Sequence, residues 1–179
     1  HIGHLAMAQI AADKLRLDKV IFVPSNIPPH KTVRRLASAK SRYEMARLAV
    51  KKYPSFEVSD CEISRKGRSY TIDTVKYFQG ILPKGTKLFF IIGEDALAGL
   101  GKWKDSAKLR KLISFIVVNR PGYKGRTAIK GKFHFVNMPD IDIASSFLRK
   151  RITDGKSIKY FVSDKVSRYI KSHHLYATR

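Results

Sequence analysis

The sequence predicts an α/β protein in which a parallel β-sheet carries helices on both faces. Three observations point to it. Runs of Val, Ile and Phe at 19–24, 87–92 and 114–119 are apolar without alternation, as in strands buried on both sides. Segments with apolar residues at helical spacing lie between them, and strands that alternate with helices close through right-handed crossovers into a parallel sheet. At 179 residues and 44% hydrophobic side chains, the chain suits a single domain, 1–179, with a substantial core.

The first helix is expected over 5–17, through Leu5, Ala6, Met7, Ala8, Ile10, Ala11 and Ala12. Residues 19–24 then form a short buried strand that Pro24 ends. The loop 24–31 is stiffened by Pro24, Pro28 and Pro29 and presents His30 and Lys31. Helical spacing resumes over 41–53 through Tyr43, Met45, Ala46, Ala49 and Val50, followed by a strand at 56–59 and a helix at 71–78. The strand 87–92 is the most hydrophobic and runs into a turn, Gly93-Glu94-Asp95. A helix at 108–112 precedes the strand 114–119, which Arg120-Pro121-Gly122 breaks. A short strand at 133–136, a helix at 145–152 opening from a serine cap, and a last helix at 165–172 complete the alternation. There is no internal repeat, low-complexity segment or linker. Ligands of such sheets bind beyond the carboxyl ends of the strands, near the point where strand order reverses. The Pro24 loop, the Gly93 turn, the Arg120 turn and the loop before Ser145 each follow a strand and are expected to meet there.

Composition sets limits on function. The 36 Lys and Arg against 14 Asp and Glu give a net charge of +22, a field that attracts polyanions. These cations are spread along the chain without an aromatic-interleaved basic block. That favours a basic-surfaced enzyme with anionic substrates over a nucleic-acid platform. Cys61 is the only cysteine, which excludes an intramolecular disulfide and fits a reducing, cytoplasmic setting; it is expected in a strand or the core. No apolar run approaches the ~20 residues of a membrane span, and no Cys/His cluster has zinc-ligand spacing. His134, His173 and His174 match no motif and are expected on the surface or in a strand.

Two segments suit phosphate. His1-Ile2-Gly3-His4 leads directly into the first helix, where free N–H groups and the positive end of the dipole attract anions. Gly3 lets the backbone approach a ligand closely. Ile143-Ala144-Ser145-Ser146-Phe147-Leu148-Arg149 places two hydroxyls at a helix N-terminus and a guanidinium one turn later, a set suited to a triphosphate. Each segment also has a plain reading: chance for the first, and an N-cap with a solvated arginine for the second.

Together the two segments resemble the nucleotidyltransferases with an H-x-G-H motif and an I-S-x-T/S-x-x-R motif, and more closely the bacterial nicotinate-mononucleotide adenylyltransferases. The likeness covers essentially the whole chain. It is carried further by Ile27-Pro28-Pro29-His30-Lys31, Arg42-Tyr43-Glu44-Met45, Glu62 to Arg65, and Gly67-Arg68-Ser69-Tyr70-Thr71-Ile72-Asp73-Thr74. Phe90-Ile91-Ile92-Gly93-Glu94-Asp95 with Leu97 and Trp103, Asn119-Arg120-Pro121-Gly122, and Leu175-Tyr176 follow in the family's order. Departures are Ala144, where the family often has serine, Ser146, where threonine is usual, and Ser163, where proline is common. The glycine-rich strand and loop that precede the family's opening histidines are not in the sequence. An N-terminally incomplete domain is therefore expected, unstable or inactive by itself until that strand is restored.

The resemblance implies a Rossmann-like nucleotidyltransferase fold and transfer of AMP from ATP to nicotinate mononucleotide, giving deamido-NAD and pyrophosphate in NAD biosynthesis. Mg²⁺ would arrive with ATP, and no resident metal is implied. The phosphate oxygen of the mononucleotide attacks the α-phosphorus directly, so the protein supplies alignment and charge stabilisation rather than a nucleophile. By the same resemblance His1, His4 and Arg149 are the catalytic set, with His4 nearest the α-phosphate. Ser145, Ser146 and Arg149 hold the β/γ end, and Asp95 after Gly93 accepts from a ribose hydroxyl. Lys31 neutralises the mononucleotide phosphate, Ser69 and Thr71 line the nicotinate end with N–H groups for its carboxylate, and Trp103 stacks on the pyridine ring. Asp95 as a helix cap and Trp103 as a core residue are the structural alternatives. The partners implied are ATP and nicotinate mononucleotide, with neither membrane nor nucleic acid, and a homo-oligomer is left open. Nicotinamide mononucleotide, phosphopantetheine or cytidylyl transfer would use the same phosphate apparatus. A class I aminoacyl-tRNA synthetase fragment lacks support because no K-M-S-K-S-like loop occurs, and a basic nucleic-acid-binding module remains the reading from another class.

Overall fold

A computed structural model describes residues 1–28, 36–65, 67–119 and 129–177. Its strands pair in parallel throughout. β1 (Val20–Phe22) lies beside β2 (Phe56–Val58), with Val20 opposite Phe56, and a second sheet has the order β3 (Phe89–Gly93), β4 (Ser114–Val118), β5 (Phe133–Val136). β4 is the central strand of the second sheet, and Phe115, Ile116, Val117 and Val118 are all at most 1% exposed. Successive side chains of a strand point to opposite faces. Phe115 and Val117 accordingly join a core with Ile72, Val75, Leu97, Leu100 and Leu109, whereas Ile116 and Val118 join another with Ala11, Val136 and Met138. Burial on both faces is why this run carries no polar alternation.

The helices are α1 (Ile2–Leu15), α2 (Ala39–Val50), α3 (Cys61–Ser64), α4 (Thr71–Ile81), α5 (Glu94–Leu97), α6 (Ser106–Leu112), α7 (Ser145–Thr153) and α8 (Asp164–Ser172), with a 3₁₀ turn at Leu100–Lys102. Among the described residues no ladder connects β1 to β3, and α1 joins the two sheets instead. Ala8 and Ala12 pack with Val20, Val50 and Phe56, while Ala11 packs with Ile116 and Val118, so alanine's small side chain lets one helix lie close over both sheets. Ile91 of β3 touches both groups. A further core of Leu148, Ile158, Val162, Val166 and Ile170, with Met45 and Leu48 against it, binds α2, α7 and α8 together and fixes the start of α7. No helix of the described residues is long and apolar enough to cross a membrane.

Several expectations need correction. α1 begins at Ile2, inside the motif, not at Leu5, because His1 already has the N-cap position. The Gly93 turn is the start of the one-turn helix α5, with Gly93 as its N-cap. Ser145 is not a cap: Ala144, in extended conformation, takes that place without a side-chain bond, and Ser145 is the first helical residue. Cys61 lies in the core as expected, carried by α3, too short a helix to leave any period in the sequence. At α8, by contrast, Ser163 is a genuine cap, accepting from the Val166 N–H. Pro29, His30, Lys31 and the Arg120-Pro121-Gly122 turn lie outside the described residues.

Candidate active site

Two helix N-termini meet at one place. The His1 and His4 rings stack with centroids 3.8 Å apart and 18° between planes. Gly3 lies against the residue that precedes the cap of α7: a β-carbon there would stand 3.2 Å from His1 Nδ1 and 3.6 Å from the Ile143 carbonyl oxygen. A side chain at position 3 would therefore crowd the motif histidine while reaching ordinary contact with the Ile143 backbone, and glycine leaves the His1 ring its place. The Ile2 N–H donates to the Phe161 carbonyl at 2.9 Å and ties α1 to the segment before α8. His1 Nδ1 is buried without a protein partner, a polar atom that a bound phosphate oxygen would satisfy.

On the α7 side, Ser145 and Arg149 are half-buried and Ser146 is exposed, while Leu148 between them is sunk in the core and holds the turn in place. The absence of a side-chain cap leaves the first N–H groups of α7 to a ligand or water. Thr153 Oγ1 stands 3.1 Å from the carbonyl oxygens of both Arg149 and Tyr176, joining the end of α7 to the chain beyond α8. Burial raises the pKa of the Tyr176 phenol, while Arg149, the Ala37 backbone N–H and Arg42 all act to lower it.

The end of β3 comes to the same region through α1. Asp95 folds back over Gly93, where a β-carbon would lie 2.5 Å from Asp95 Oδ1 and 4.0 Å from Met7 Cε of α1. The carboxylate thus stands at the carboxyl end of the strand with α1 beside it, a geometry suited to a sugar hydroxyl at a switch point.

Ser69, Thr71 and Trp103 form a separate group. The loop after β1 is zipped to the loop before α4: Ile27 bridges Arg68, the Ser69 N–H donates to the Ile27 carbonyl at 3.0 Å, and the Asn26 N–H donates to Ser69 Oγ at 2.8 Å. Ser69 is buried, so its hydroxyl oxygen serves this junction. Thr71 is the first residue of α4, whose cap, Tyr70, makes no side-chain bond. Trp103 meets Phe90 edge-on at 5.8 Å and is half-buried against the Ile72 core, so packing fixes one side of its ring. Lys104 lies 4.5 Å above the Tyr70 ring and 3.4 Å from Asp73, a cation at the same entrance.

Arg42 is a residue whose role the sequence did not reveal. Its guanidinium donates to the carbonyls of Ser25 (2.5 Å), Asn26 (2.8 Å) and Ala37 (3.1 Å) and so holds the loop after β1 against α2. Burial lowers its pKa, and Tyr176 partly offsets this. Glu62 and Thr74 form a second such contact, with buried Thr74 Oγ1 donating to Glu62 Oε1 at 2.5 Å and Arg65 Nη2 3.3 Å from the same hydroxyl. No local pattern marks such bonds, because their partners are far apart in the chain. Among the described residues no three His, Cys, Asp or Glu side chains converge as metal ligands.

The cytidylyltransferase-like family model matches residues 1–152. A probable nicotinate-nucleotide adenylyltransferase of Thermoanaerobacter sp. (strain X514) is 40% identical over 186 residues, spanning 98% of this chain and 88% of its own. One from Shouchella clausii (strain KSM-K16) is 40% identical over 176 residues, spanning 98% and 90%. In fold, the chain is similar to Plasmodium falciparum nicotinic acid mononucleotide adenylyltransferase complexed with NaAD, at a TM-score of 0.77 and 21% identity over 95% of this chain and 90% of that one. The same enzyme complexed with APC gives 0.78 and 20% over 97% and 89%. The chain belongs to the cytidylyltransferase-like family and, within it, to the nicotinate-nucleotide adenylyltransferases.

Proposed function

We propose that this chain joins MgATP and nicotinate mononucleotide, a phosphate oxygen of the mononucleotide forming a bond to the α-phosphorus as the bond from α-phosphorus to the β-phosphate bridging oxygen breaks. Deamido-NAD forms and pyrophosphate leaves with the displaced electron pair. The observation that carries the reading is the meeting of the α1 and α7 N-termini at Gly3 and Ile143, which offers one polyphosphate two helix dipoles, two imidazoles and one guanidinium. His1 and His4 bear on the α-phosphate, and Ser145, Ser146 and Arg149 bear on the β/γ end, where charge accumulates as pyrophosphate departs. Asp95, given room by Gly93, accepts from a ribose hydroxyl of the ATP. Thr71 and the N–H groups at the start of α4 receive the nicotinate carboxylate, Trp103 offers its free face to the pyridine ring, and Ser69 keeps that entrance in shape. Lys31 neutralises the mononucleotide phosphate. Mg²⁺ comes as part of the MgATP substrate.

The single cysteine, buried in α3, supports a reducing, cytoplasmic setting. Pyrophosphate release from MgATP, with nicotinate and then nicotinamide mononucleotide as acceptor, tests the reading on the full-length protein and its His4→Ala variant. Release that prefers the nicotinate acceptor and falls by at least about 100-fold in His4→Ala is expected. Equal rates with both acceptors would overturn the nicotinate assignment, and an unaffected variant would overturn the role of His4.

A further inference from the structure

Arg42 has no substrate role above, yet its bonds lead toward one half of the site. It stands on α2, a helix anchored elsewhere: the Ser38 hydroxyl caps it by accepting from the Ser41 N–H, Met45, Leu48 and Ala49 pack against the core of α7 and α8, and Val50 packs with Val20 and Phe56. The guanidinium therefore leaves a fixed backbone. Its planar fork sends three N–H donors to three carbonyls, Nε to Ala37 beside its own helix, and Nη1 and Nη2 to Ser25 and Asn26 in the loop after β1. That loop passes the constraint on. The Asn26 N–H donates to the buried Ser69 Oγ at 2.8 Å, the Asn26 side-chain amide donates to the Gly67 carbonyl at 3.3 Å, and the Ser69 N–H returns a bond to the Ile27 carbonyl at 3.0 Å. Ser69 is two residues before Thr71, where α4 begins. None of these bonds belongs to α1 or α7, the helices of the phosphate half.

We propose that Arg42 is a positioning residue for the acceptor half alone, fixing the start of α4 through Asn26 and Ser69 and thereby setting the affinity for nicotinate mononucleotide. This deepens the functional reading above and rests on it. Arg42→Lys keeps the charge and loses the fork. In the full-length protein its calorimetric Kd for nicotinate mononucleotide is expected to rise about tenfold, the size of one lost charge-assisted bond, and that for a non-hydrolysable MgATP analogue to stay within about twofold. Amide exchange reads the same link without substrate: the Asn26 and Ser69 N–H groups should exchange at least about tenfold faster in Arg42→Lys, and those of β4 at the wild-type rate. Ser69→Ala removes the acceptor of the Asn26 N–H and leaves the guanidinium in place. It should weaken the mononucleotide selectively as well, should bind no worse when combined with Arg42→Lys than the weaker single variant, and carries the test by itself where Arg42→Lys does not fold. Val50→Ala, which thins the core under the same helix, should lower the melting temperature and leave both Kd values unchanged. Equal weakening of both ligands, unchanged exchange at Asn26 and Ser69, additive effects in the double variant, or selective loss of the mononucleotide in Val50→Ala would each overturn the proposal. Faster exchange in Arg42→Lys beside a wild type that does not bind nicotinate mononucleotide would instead overturn the functional reading and leave the link from Arg42 to Ser69 standing.

Discussion

The Asp95 carboxylate occupies the space over the α-carbon of Gly93, with Oδ1 2.5 Å from where a β-carbon would be. Glycine at the end of β3 is therefore a condition for the carboxylate's position, not for the backbone's, whose φ of −75° any residue adopts. Gly93→Ala is expected to push the carboxylate aside and raise KM for MgATP about tenfold, and Asp95→Asn is expected to do the same, since a hydrogen bond to a charged group is worth about 1.5–3 kcal/mol. The melting temperature should change little. A Gly93→Ala enzyme with wild-type KM beside an impaired Asp95→Asn enzyme would refute the spatial link.

The uncapped start of α7 sets stability against binding. Ala144 offers no acceptor to the first N–H groups, and replacing it with Asp should stabilise the helix by about 1 kcal/mol, or about 2–4 °C in melting temperature. The new carboxylate would take the N–H groups that phosphate needs and repel phosphate as well, so KM for MgATP should rise. Scanning calorimetry and steady-state kinetics on Ala144→Asp read both effects. Higher stability with unchanged KM would mean that the phosphates bind elsewhere.

The bond from Thr74 to Glu62 is buried, and a carboxylate without its donor there keeps the desolvation penalty. Thr74→Val retains the shape and removes the hydroxyl. It should cost about 1–3 kcal/mol in urea unfolding, and Thr74→Ser should recover most of that. Equal stability of the Val and Ser variants would show that Glu62 does not depend on the Thr74 hydroxyl.

What the sequence disclosed follows from how locally each feature is encoded. The β5 bounds, 133–136, and the buried character of β4 were legible because a strand's burial is written in consecutive residues. Gly3 and the two helix N-termini stand in short motifs, and their role toward phosphate belongs to the proposed function. The junction of the two sheets through α1 was not legible: Ala8, Ala11 and Ala12 give small residues on a helix but not which strands they lie over. Nor was Arg42, whose acceptor carbonyls lie just before its own helix at Ala37 and in a distant loop at Ser25 and Asn26, and leave no period. The cap of α7 was misplaced by one residue, since serine at N1 and serine at the cap read alike in sequence and differ only in the backbone of Ala144.

Cys61 gives a pH dependence whose sign is fixed. Burial is the main cause that raises its thiol pKa; Glu62 and Asp60 act in the same direction, against a hydrogen bond with Ser59 and the charge of Arg65. Below the unfolded value, about 8.5, both states keep the proton and the full stability is present. As pH rises past that value the unfolded chain releases its proton while the folded chain retains it, so unfolding binds fewer protons and stability falls until the folded pKa is passed. Cys61→Ser removes this titration. The melting temperature of the wild type should therefore drop more steeply than that of Cys61→Ser between about pH 8 and about pH 10, and Tyr176, also raised, is common to both proteins and cancels from the difference. Parallel curves across that interval would show that the thiol ionises alike in the folded and unfolded chain.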